Sequence, residues 1–373
     1  MTAVTPTELV TRPAADLAGL MTAAGLAADL AGLMTAAGLA ADLAAGRAAL
    51  ADHLGRKAPN TRRRMADDLA VFADYLADAQ IPTAPRVADL AAAIAAWPAD
   101  PAPDLAALAG VTWGIVAAFV QWGLRRGYAI GSVNVRLSTV KTLCKLAAQA
   151  GILDAGTLGM IRSVSGYRLT EGRNLDKTRE ITRVGAKKAA AVSLDRSQAT
   201  NLKAQPVTTP QGRRDRVILA LLLDHGLRVG ELVGLTVNAV DLTAGVIRFY
   251  RPKVNKTQTH RLTADARAAL AAYVKAGDIP AMGPLLRASK RGGRLAAAGM
   301  TERAVTARVA DLGAALGIEG LSAHDLRHYW ATTAATNKTD PFSLQQAGGW
   351  SSLAMPRRYV EDAKIANDGV KLS

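Results

Sequence analysis

The stretch "SAHDLRHYW" (residues 322–330) places two histidines and an arginine within five positions. Ser322 and Asp325 stand three residues apart, which is the spacing of a capping box, so a helix is predicted to begin here. His324 then lies in the first turn, and Arg327, three residues later, shares its face of the helix. Because backbone N–H groups and the positive end of the helix dipole point the same way, this stretch predicts a phosphate-binding site.

Two other interpretations compete for this stretch. His324 and His328 stand four residues apart, as zinc ligands do on the helix of a zinc protease. However, Asp325 replaces the usual glutamate, and no third ligand is evident in a chain with five histidines and one cysteine. The second alternative is a polar helix with a purely structural role. We expect neither a metal nor another cofactor.

Two further stretches carry candidate site residues. "GLRVGEL" places Arg228 in a corner after an apolar run, and Glu231, three residues on, is suited to orient its guanidinium. The alternative is an arginine that caps the C-terminus of a helix. "QQAGGWSSLAMPRRYV" (345–360) contains Trp350 and, nine residues later, Tyr359. For both aromatic residues the alternative is core packing.

Composition predicts an anionic partner. The 373 residues carry a formal net charge of +15; residues 1–52 contribute two basic and five acidic side chains, a net of −3, so the remainder carries +18. A basic body of this kind favours nucleic acid over an anionic membrane surface. One cysteine excludes an internal disulfide framework, and neither a signal peptide nor a membrane span is recognisable. We therefore predict a cytoplasmic protein without a membrane partner.

Residues 1–52 form an Ala/Leu-rich extension. It contains the repeat "ADLAGLMTAAGLA" at 15–27 and again at 28–40. A period of thirteen residues does not match a heptad, so the pattern predicts a helix broken at its glycines. The extension is either a weakly ordered duplication or an oligomerisation or DNA-binding arm.

The rest of the chain is predicted to form two domains joined by a linker. Residues 53–150 show apolar residues at helical spacing and predict an all-helical domain with basic faces. Residues 151–190 are polar and basic, and predict a linker. Residues 191–373 predict a mainly α-helical domain. Its one clear strand pair is expected at 245–250 and 257–262, around a turn at 251–256.

Four motifs in this order resemble the tyrosine recombinase (phage integrase) family: the arginine of "GLRVGEL", a hairpin lysine in "RPKVNK", "HDLRH", and Gly-Gly-Trp followed by tyrosine nine positions later. "QAGGW" is similar to Cre-type phage recombinases, in which Trp stands where many integrases have His. The resemblance covers roughly 190–373 well, and 53–150 more loosely as the family's core-binding domain. It implies a mainly α fold with a small β-sheet in the catalytic domain, and two domains that form a C-shaped clamp on DNA.

The resemblance also implies roles for individual residues. Arg228 and Arg327 match the arginines that stabilise charge on the scissile phosphate. Tyr359 matches the nucleophile that forms a 3′-phosphotyrosyl intermediate without ATP. The other matches are Glu231 with an acidic residue that supports the first arginine, His324 with a proton-transfer and phosphate-binding histidine, Trp350 with a hydrogen-bond donor to the phosphate, and Lys253 with the acid that protonates the leaving 5′-hydroxyl.

Two of these roles keep an alternative. The turn that carries Lys253 is one residue longer than the family's common form, so Lys256 stays a candidate for the general acid. Tyr329 is a second tyrosine near the motifs, but it lies on the phosphate helix itself and is the less suitable nucleophile.

For partners, the resemblance implies double-stranded DNA with an inverted-repeat site and a homotetramer on two duplexes. Strands would be exchanged through a Holliday junction, as in DNA integration by phages and mobile elements. The tail after Tyr359 is expected to pack into a neighbouring protomer through Val370 and Leu372. Two alternatives remain: a type IB topoisomerase, and a catalytically inactive, integrase-derived DNA-binding protein. The complete set of motif residues argues against the inactive protein.

Overall fold

The computed structural model describes residues 35–38, 40–42, 44–46, 48–98, 103–185, 188 and 190–363. The chain divides into two compact units, Met1–Lys187 and Lys188–Ser373. Among the described residues, no helix combines the length and the apolar character needed to cross a membrane. Most of the 13-residue repeat, and the tail with the predicted anchors Val370 and Leu372, lie outside the described residues.

The first unit is built from helices, as the sequence predicts. In its longest amphipathic segment, Leu69, Phe72 and Leu76 recur three or four residues apart and are completely buried on one face. The helix begins at Pro59, with Ala58 as its N-cap. Residues 48–55 are helical. The α-helices of this unit that are described from end to end are α1 Pro59–Asp78, α2 Ala84–Ala96, α3 Trp113–Arg125, α4 Ile130–Gln149, α5 Ala155–Ser163 and α6 Leu169–Asp176.

The predicted boundaries of the helical unit differ from those in the structure. Leu50, near the end of the predicted extension 1–52, joins the same core as Leu54, so this end of the extension packs with the helices. The predicted linker 151–190 contains α5 and α6, and Ile161 of α5 is completely buried in this core. The linker interpretation therefore does not describe 155–176. The polar, basic composition of 151–190 does not predict these helices, because each is short and buries few side chains.

The second unit combines helices with two small antiparallel sheets. Its helices are α7 Arg196–Lys203, α8 Pro210–His225, α9 Val229–Val233, α10 Ala264–Lys275, α11 Glu302–Ala314, α12 Ala323–Thr336, α13 Pro341–Gly348 and α14 Ala354–Ala363. Its strands are β1 Val240–Asp241, β2 Val246–Arg251, β3 Lys256–Arg261, β4 Arg287–Ser289 and β5 Leu295–Gly299. The strands order as β1-β2-β3 in one sheet and β4-β5 in the other. This mainly α architecture with a small sheet agrees with the predicted fold class.

Strands β2 and β3 form the predicted strand pair. Arg251 at the end of β2 lies opposite Lys256 at the start of β3. A 3-10 turn at Pro252–Val254 joins them, followed by Asn255 with φ of +46°. The second hairpin, β4 with β5, was not predicted, because its strands are short and their irregular register leaves no alternating pattern in the sequence.

Helix α8 forms the centre of the second unit, and its apolar run at 217–223 is buried. The helix ends at Gly226, which has a φ of +59°. A Cβ atom there would collide with the indole of Trp330, so glycine allows the corner between α8 and α9 to approach α12. Helix α12 packs against α8, α13 and α14. The motif residues lie where these elements meet.

Candidate active site

Arg228 lies at the corner between α8 and α9, where it is the N-cap of α9. The carboxylate of Glu231 accepts one hydrogen bond from the Arg228 backbone N–H at 2.8 Å and another from its guanidinium Nη1 at 2.7 Å. Glu231 therefore orients Arg228, as the three-residue spacing predicts. The Nη2 group of Arg228 donates to the carbonyl of Gly349 at 3.1 Å.

Arg327 reaches the same place from α12. The predicted capping box is present, because the Ser322 N–H donates to the carboxylate of Asp325 at 2.8 Å. One turn later Arg327 is 3% exposed, and its Nη2 donates to the carbonyl of Gly348 at 2.6 Å. Its Nη1 donates to the carbonyl of Gly226. The two motif arginines thus meet at the end of α13.

A third arginine, Arg251, completes this cluster and was missed by the sequence analysis. It is fully buried, and its Nη1 lies 3.1 Å from Oε2 of Glu231 and donates to the carbonyl of Gly348 at 2.9 Å. Its Nη2 donates to the carbonyl of Ala347 at 2.6 Å. The alternation of β2, which buries Ile247 together with Phe249, is the signal that places Arg251 on the inner face.

The three guanidinium groups leave the site with excess positive charge. Burial, together with the positive charge of Arg228, lowers the pKa of Arg327 to about 9. Burial also lowers the pKa of Arg251 to about 10, against the opposing charge of Glu231. Both groups remain protonated at neutral pH. Three cations share one carboxylate, so an anion that enters this site would relieve their mutual repulsion.

The two glycines before Trp350 permit this arrangement. Gly349 has a φ of +58°, and an added Cβ would lie 2.5 Å from Cδ of Arg251. An added Cβ on Gly348 would collide with the ring of Trp350. The guanidinium of Arg327 lies 4.9 Å from the centroid of that ring, a cation–π distance. The Gly-Gly-Trp motif therefore lets a backbone segment and an indole pack directly on buried arginines.

Tyr359 lies on α14 and faces this cluster. It is 5% exposed, and its ring centroid is 5.8 Å from that of Trp350. Its hydroxyl oxygen is 3.0 Å from Nδ1 of His328. The ring of His328 in turn meets that of His324 edge to face at 4.6 Å. Sequence analysis singled out His324; the histidine that contacts the tyrosine hydroxyl is His328, one helical turn further on.

Both histidines of α12 favour the neutral form. Burial lowers the pKa of His324, and the neighbouring His328 lowers it further. Burial also lowers the pKa of His328, as do the charges of Arg358 and Arg327, against the opposing charge of Asp325. Within the described residues, no group of three or more His, Cys, Asp or Glu side chains is arranged to hold a metal ion.

The two candidate lysines lie on the β2–β3 hairpin. Lys253 is exposed within the 3-10 turn, and Lys256 begins β3. Both line a cleft of about 460 Å³ together with Gly349 and Trp350. Lys256 lies opposite Arg251, which places both residues on one face of the hairpin. The hairpin thus brings both lysines to the border of the arginine cluster.

The structure brings most of the predicted site residues into one chain of contacts. Arg228, Glu231, Arg327, Trp350 and Tyr359 are linked through hydrogen bonds and ring contacts. His324 joins them through a ring contact with its neighbour on α12, and the hairpin lysines lie at the edge. Tyr329, the alternative nucleophile, instead packs against the core of the second unit.

The phage integrase family model matches residues 193–365 of this chain. Among similar proteins, tyrosine recombinase XerD of Xanthomonas axonopodis pv. citri is 31% identical over 220 residues, 55% of this chain and 70% of the relative. Tyrosine recombinase XerC of Azotobacter vinelandii is 35% identical over 150 residues, 40% of this chain and 48% of the relative. This chain thus spans about half the length of several of the relatives that it matches.

Solved structures show the same fold. The XerH site-specific recombinase bound to palindromic difH substrate, in a post-cleavage complex, superposes with a TM-score of 0.54 at 13% identity, covering 81% of this chain and 94% of that one. The Tn1549 transposon integrase, in complex with a circular intermediate DNA, gives a TM-score of 0.51 at 16% identity, covering 78% and 94%.

Proposed function

The chain belongs to the tyrosine recombinase (phage integrase) family, and from that premise we propose that it is a site-specific DNA recombinase. Tyr359 would attack a scissile phosphodiester and form a 3′-phosphotyrosyl bond, which conserves the energy of the broken bond for rejoining. The observation that carries this proposal is the position of the Tyr359 hydroxyl: it lies 3.0 Å from a histidine nitrogen, on a ring packed against Trp350 beside the arginine cluster.

The arginines suit the charge that develops during attack. Negative charge grows on the non-bridging oxygens of the phosphate, and planar guanidinium groups can stabilise it with paired hydrogen bonds. In this proposal Arg228 and Arg327 bind those oxygens, and Glu231 holds Arg228 in place. Their fixed positions avoid a reorganisation cost at the moment of reaction.

The remaining site residues complete the proposed reaction. Trp350 would donate its indole N–H to the phosphate, since an indole can donate but not accept. His324, in the first turn of the phosphate helix, would contact the phosphate and assist proton transfer. Lys253 would protonate the leaving 5′-oxygen, with Lys256 as the second candidate. No cofactor is required by this scheme.

The proposed partner is double-stranded DNA that carries an inverted-repeat recombination site. The body of the chain beyond residue 52 carries a net +18, which suits a phosphate backbone. We assign the helical domain at 53–150 to DNA binding and residues 191–373 to catalysis. A homotetramer on two duplexes, a Holliday-junction intermediate and a role in a phage or mobile element belong to the same proposal.

Covalent trapping tests this function. The full chain is incubated with nicked fragments of the DNA that flanks its gene, so that a cleaved strand cannot be rejoined. Tyr359→Phe should abolish the covalent protein–DNA adduct and leave DNA binding intact, while the matched variant Tyr329→Phe should still form it. Sequencing of the attached ends then gives the cleavage site.

The alternatives give different results in the same experiment. A type IB topoisomerase would relax supercoiled plasmids as a monomer without a defined site, and would form adducts on unrelated DNA. An inactive DNA-binding protein would bind and give no adduct with any fragment. The recombinase proposal is refuted if wild type and Tyr359→Phe behave alike.

A further inference from the structure

We propose that His328 is a catalytic residue, the base that takes the proton from the hydroxyl of Tyr359 during strand cleavage. This inference rests on the proposed function and adds a residue to it. The family resemblance implies that His324 takes part in proton transfer. The structure gives the two histidines different positions. His328 contacts the hydroxyl of Tyr359, and His324 lies one turn nearer the N-terminus of α12.

The contact has the geometry that a general base requires. The Tyr359 hydroxyl oxygen and Nδ1 of His328 are 3.0 Å apart, within hydrogen-bond reach of the proton to be removed. The two rings meet at a steep angle of 62°, with centroids 5.4 Å apart. An imidazole protonated on Nε2 can accept the tyrosine proton at Nδ1. Because the two residues lie on α12 and α14, which pack together, the contact is fixed by the fold.

The surroundings of His328 disfavour its charged form before the reaction. Burial lowers its pKa, and the charges of Arg358, Arg327 and Lys188 lower it further. His324 and Tyr359 contribute neutral rings at its edge. Asp325 opposes these effects, and Arg196 lines the same cleft from α7. A neutral imidazole at neutral pH is the form that can accept a proton.

The proton balance closes within the site. The bond between Tyr359 Oη and phosphorus forms as the bond between phosphorus and the 5′-oxygen breaks. The tyrosine proton moves to Nδ1 of His328, and the hairpin lysine gives a proton to the 5′-oxygen. In rejoining, the 5′-hydroxyl returns a proton to the lysine, and His328 returns its proton to the tyrosine.

The test compares His328→Asn with the wild type in single-turnover adduct formation across pH 5.5–9. The side-chain oxygen of Asn lies close to the position of Nδ1, so it can still accept the hydrogen bond from Tyr359, but it cannot take the proton. For the wild type, we expect the rate to be level near neutral pH and to fall in acid as His328 becomes protonated. For His328→Asn, we expect the rate of adduct formation at pH 7 to fall by about 10²-fold or more. We also expect this rate to rise with pH, because the tyrosine must then lose its proton to solvent.

Several outcomes would overturn the proposal. If His328→Asn keeps the wild-type rate and pH profile, the histidine only positions the tyrosine. If His324→Asn alone abolishes the acid limb of the profile, His324 is the base. His53→Asn, in the first unit, controls for the substitution itself. If the wild type forms no adduct on any fragment, the proposed function fails, and this inference fails with it; an adduct with an unchanged His328→Asn profile refutes this inference alone.

Discussion

Replacing Gly349 with alanine should disrupt the arginine cluster, because the new Cβ atom would clash with Arg251. The cost of this clash can be measured separately from the cost of backbone strain. Gly349 has a φ of +58°, where a side chain costs about 1–2 kcal/mol. The new Cβ would lie 2.5 Å from Cδ and 2.9 Å from Nη1 of Arg251. Arg251 is completely buried, so its side chain cannot swing out into solvent.

The second part of the cost comes from the hydrogen bonds of Arg251. Its guanidinium donates to the carbonyls of Gly348 at 2.9 Å and Ala347 at 2.6 Å. Weakening one bond of a charged donor costs about 1.5–3 kcal/mol. Gly349→Ala should therefore destabilise the second unit by about 2.5–5 kcal/mol in total.

Gly245→Ala is the matched control. Gly245 has a φ of +66°, and an added Cβ there has no atom within 4 Å, so this variant carries the backbone cost alone, about 1–2 kcal/mol. Guanidinium unfolding of the full chain measures both variants, and hydrogen exchange of peptides from α13 and α14 assigns the loss to the second unit. The reasoning would be refuted if Gly349→Ala cost no more than Gly245→Ala. In a double-mutant cycle with Arg251→Ala, the stability loss of the double variant should be smaller than the sum of the losses of the two single variants.

Three further predictions concern the hairpin lysines, Arg228 and His260. Lys253→Ala should cleave normal DNA about 10²–10⁴-fold more slowly than the wild type. DNA with sulfur in place of the bridging 5′-oxygen needs no proton on its leaving group, so this substrate should restore cleavage by Lys253→Ala. If the sulfur substrate rescues only Lys256→Ala, Lys256 is the general acid. Arg228→Lys keeps the charge but loses the planar fork, and should slow adduct formation by about 10²-fold while salt-dependent DNA binding, measured by titration, stays within a few-fold. Burial lowers the pKa of His260 to about 4, so between about pH 6.5 and 4 the unfolded chain binds more protons than the folded one. The free energy of unfolding should therefore fall as the pH falls through this window. His260→Gln should reduce this pH dependence, which denaturant unfolding at a series of pH values measures.

Sequence patterns predicted the elements that carry a local signal. The spacing of Ser322 and Asp325 predicts the start of the helix at Ala323–Thr336, and their capping box is present in the structure. The strand pair predicted at 245–250 and 257–262 corresponds to β2 and β3. The orientation of Arg228 by Glu231 follows from a three-residue spacing. In each case the interacting groups are near neighbours in the chain, so spacing alone determines the contact.

Contacts between distant segments were the ones that the sequence could not supply. Arg251 reads as one more basic residue of a hairpin, but it lies 97 positions from Gly348, whose carbonyl it binds. His324 and His328 have the spacing of a metal pair, but the group that His328 contacts, the hydroxyl of Tyr359, lies 31 positions further along the chain. The family resemblance assigns the role of nucleophile to Tyr359, but which histidine contacts it depends on how α14 packs against α12.

The way the arginines are held supports the proposal that this cluster binds phosphate. Arg327 donates from two different nitrogens to the carbonyls of Gly226 and Gly348, and Arg228 donates to Glu231 and Gly349. A guanidinium has five N–H groups, so two such bonds fix its plane and leave further donors on each fork. A lysine has three donors on one rotating nitrogen, and the same two bonds would leave a single donor with no defined plane. In the proposed reaction, guanidinium planes that are fixed before DNA binds would hold the remaining donors ready for the charge that develops on the phosphate. Gly226, Glu231 and the two carbonyls of the Gly-Gly segment fix these planes together.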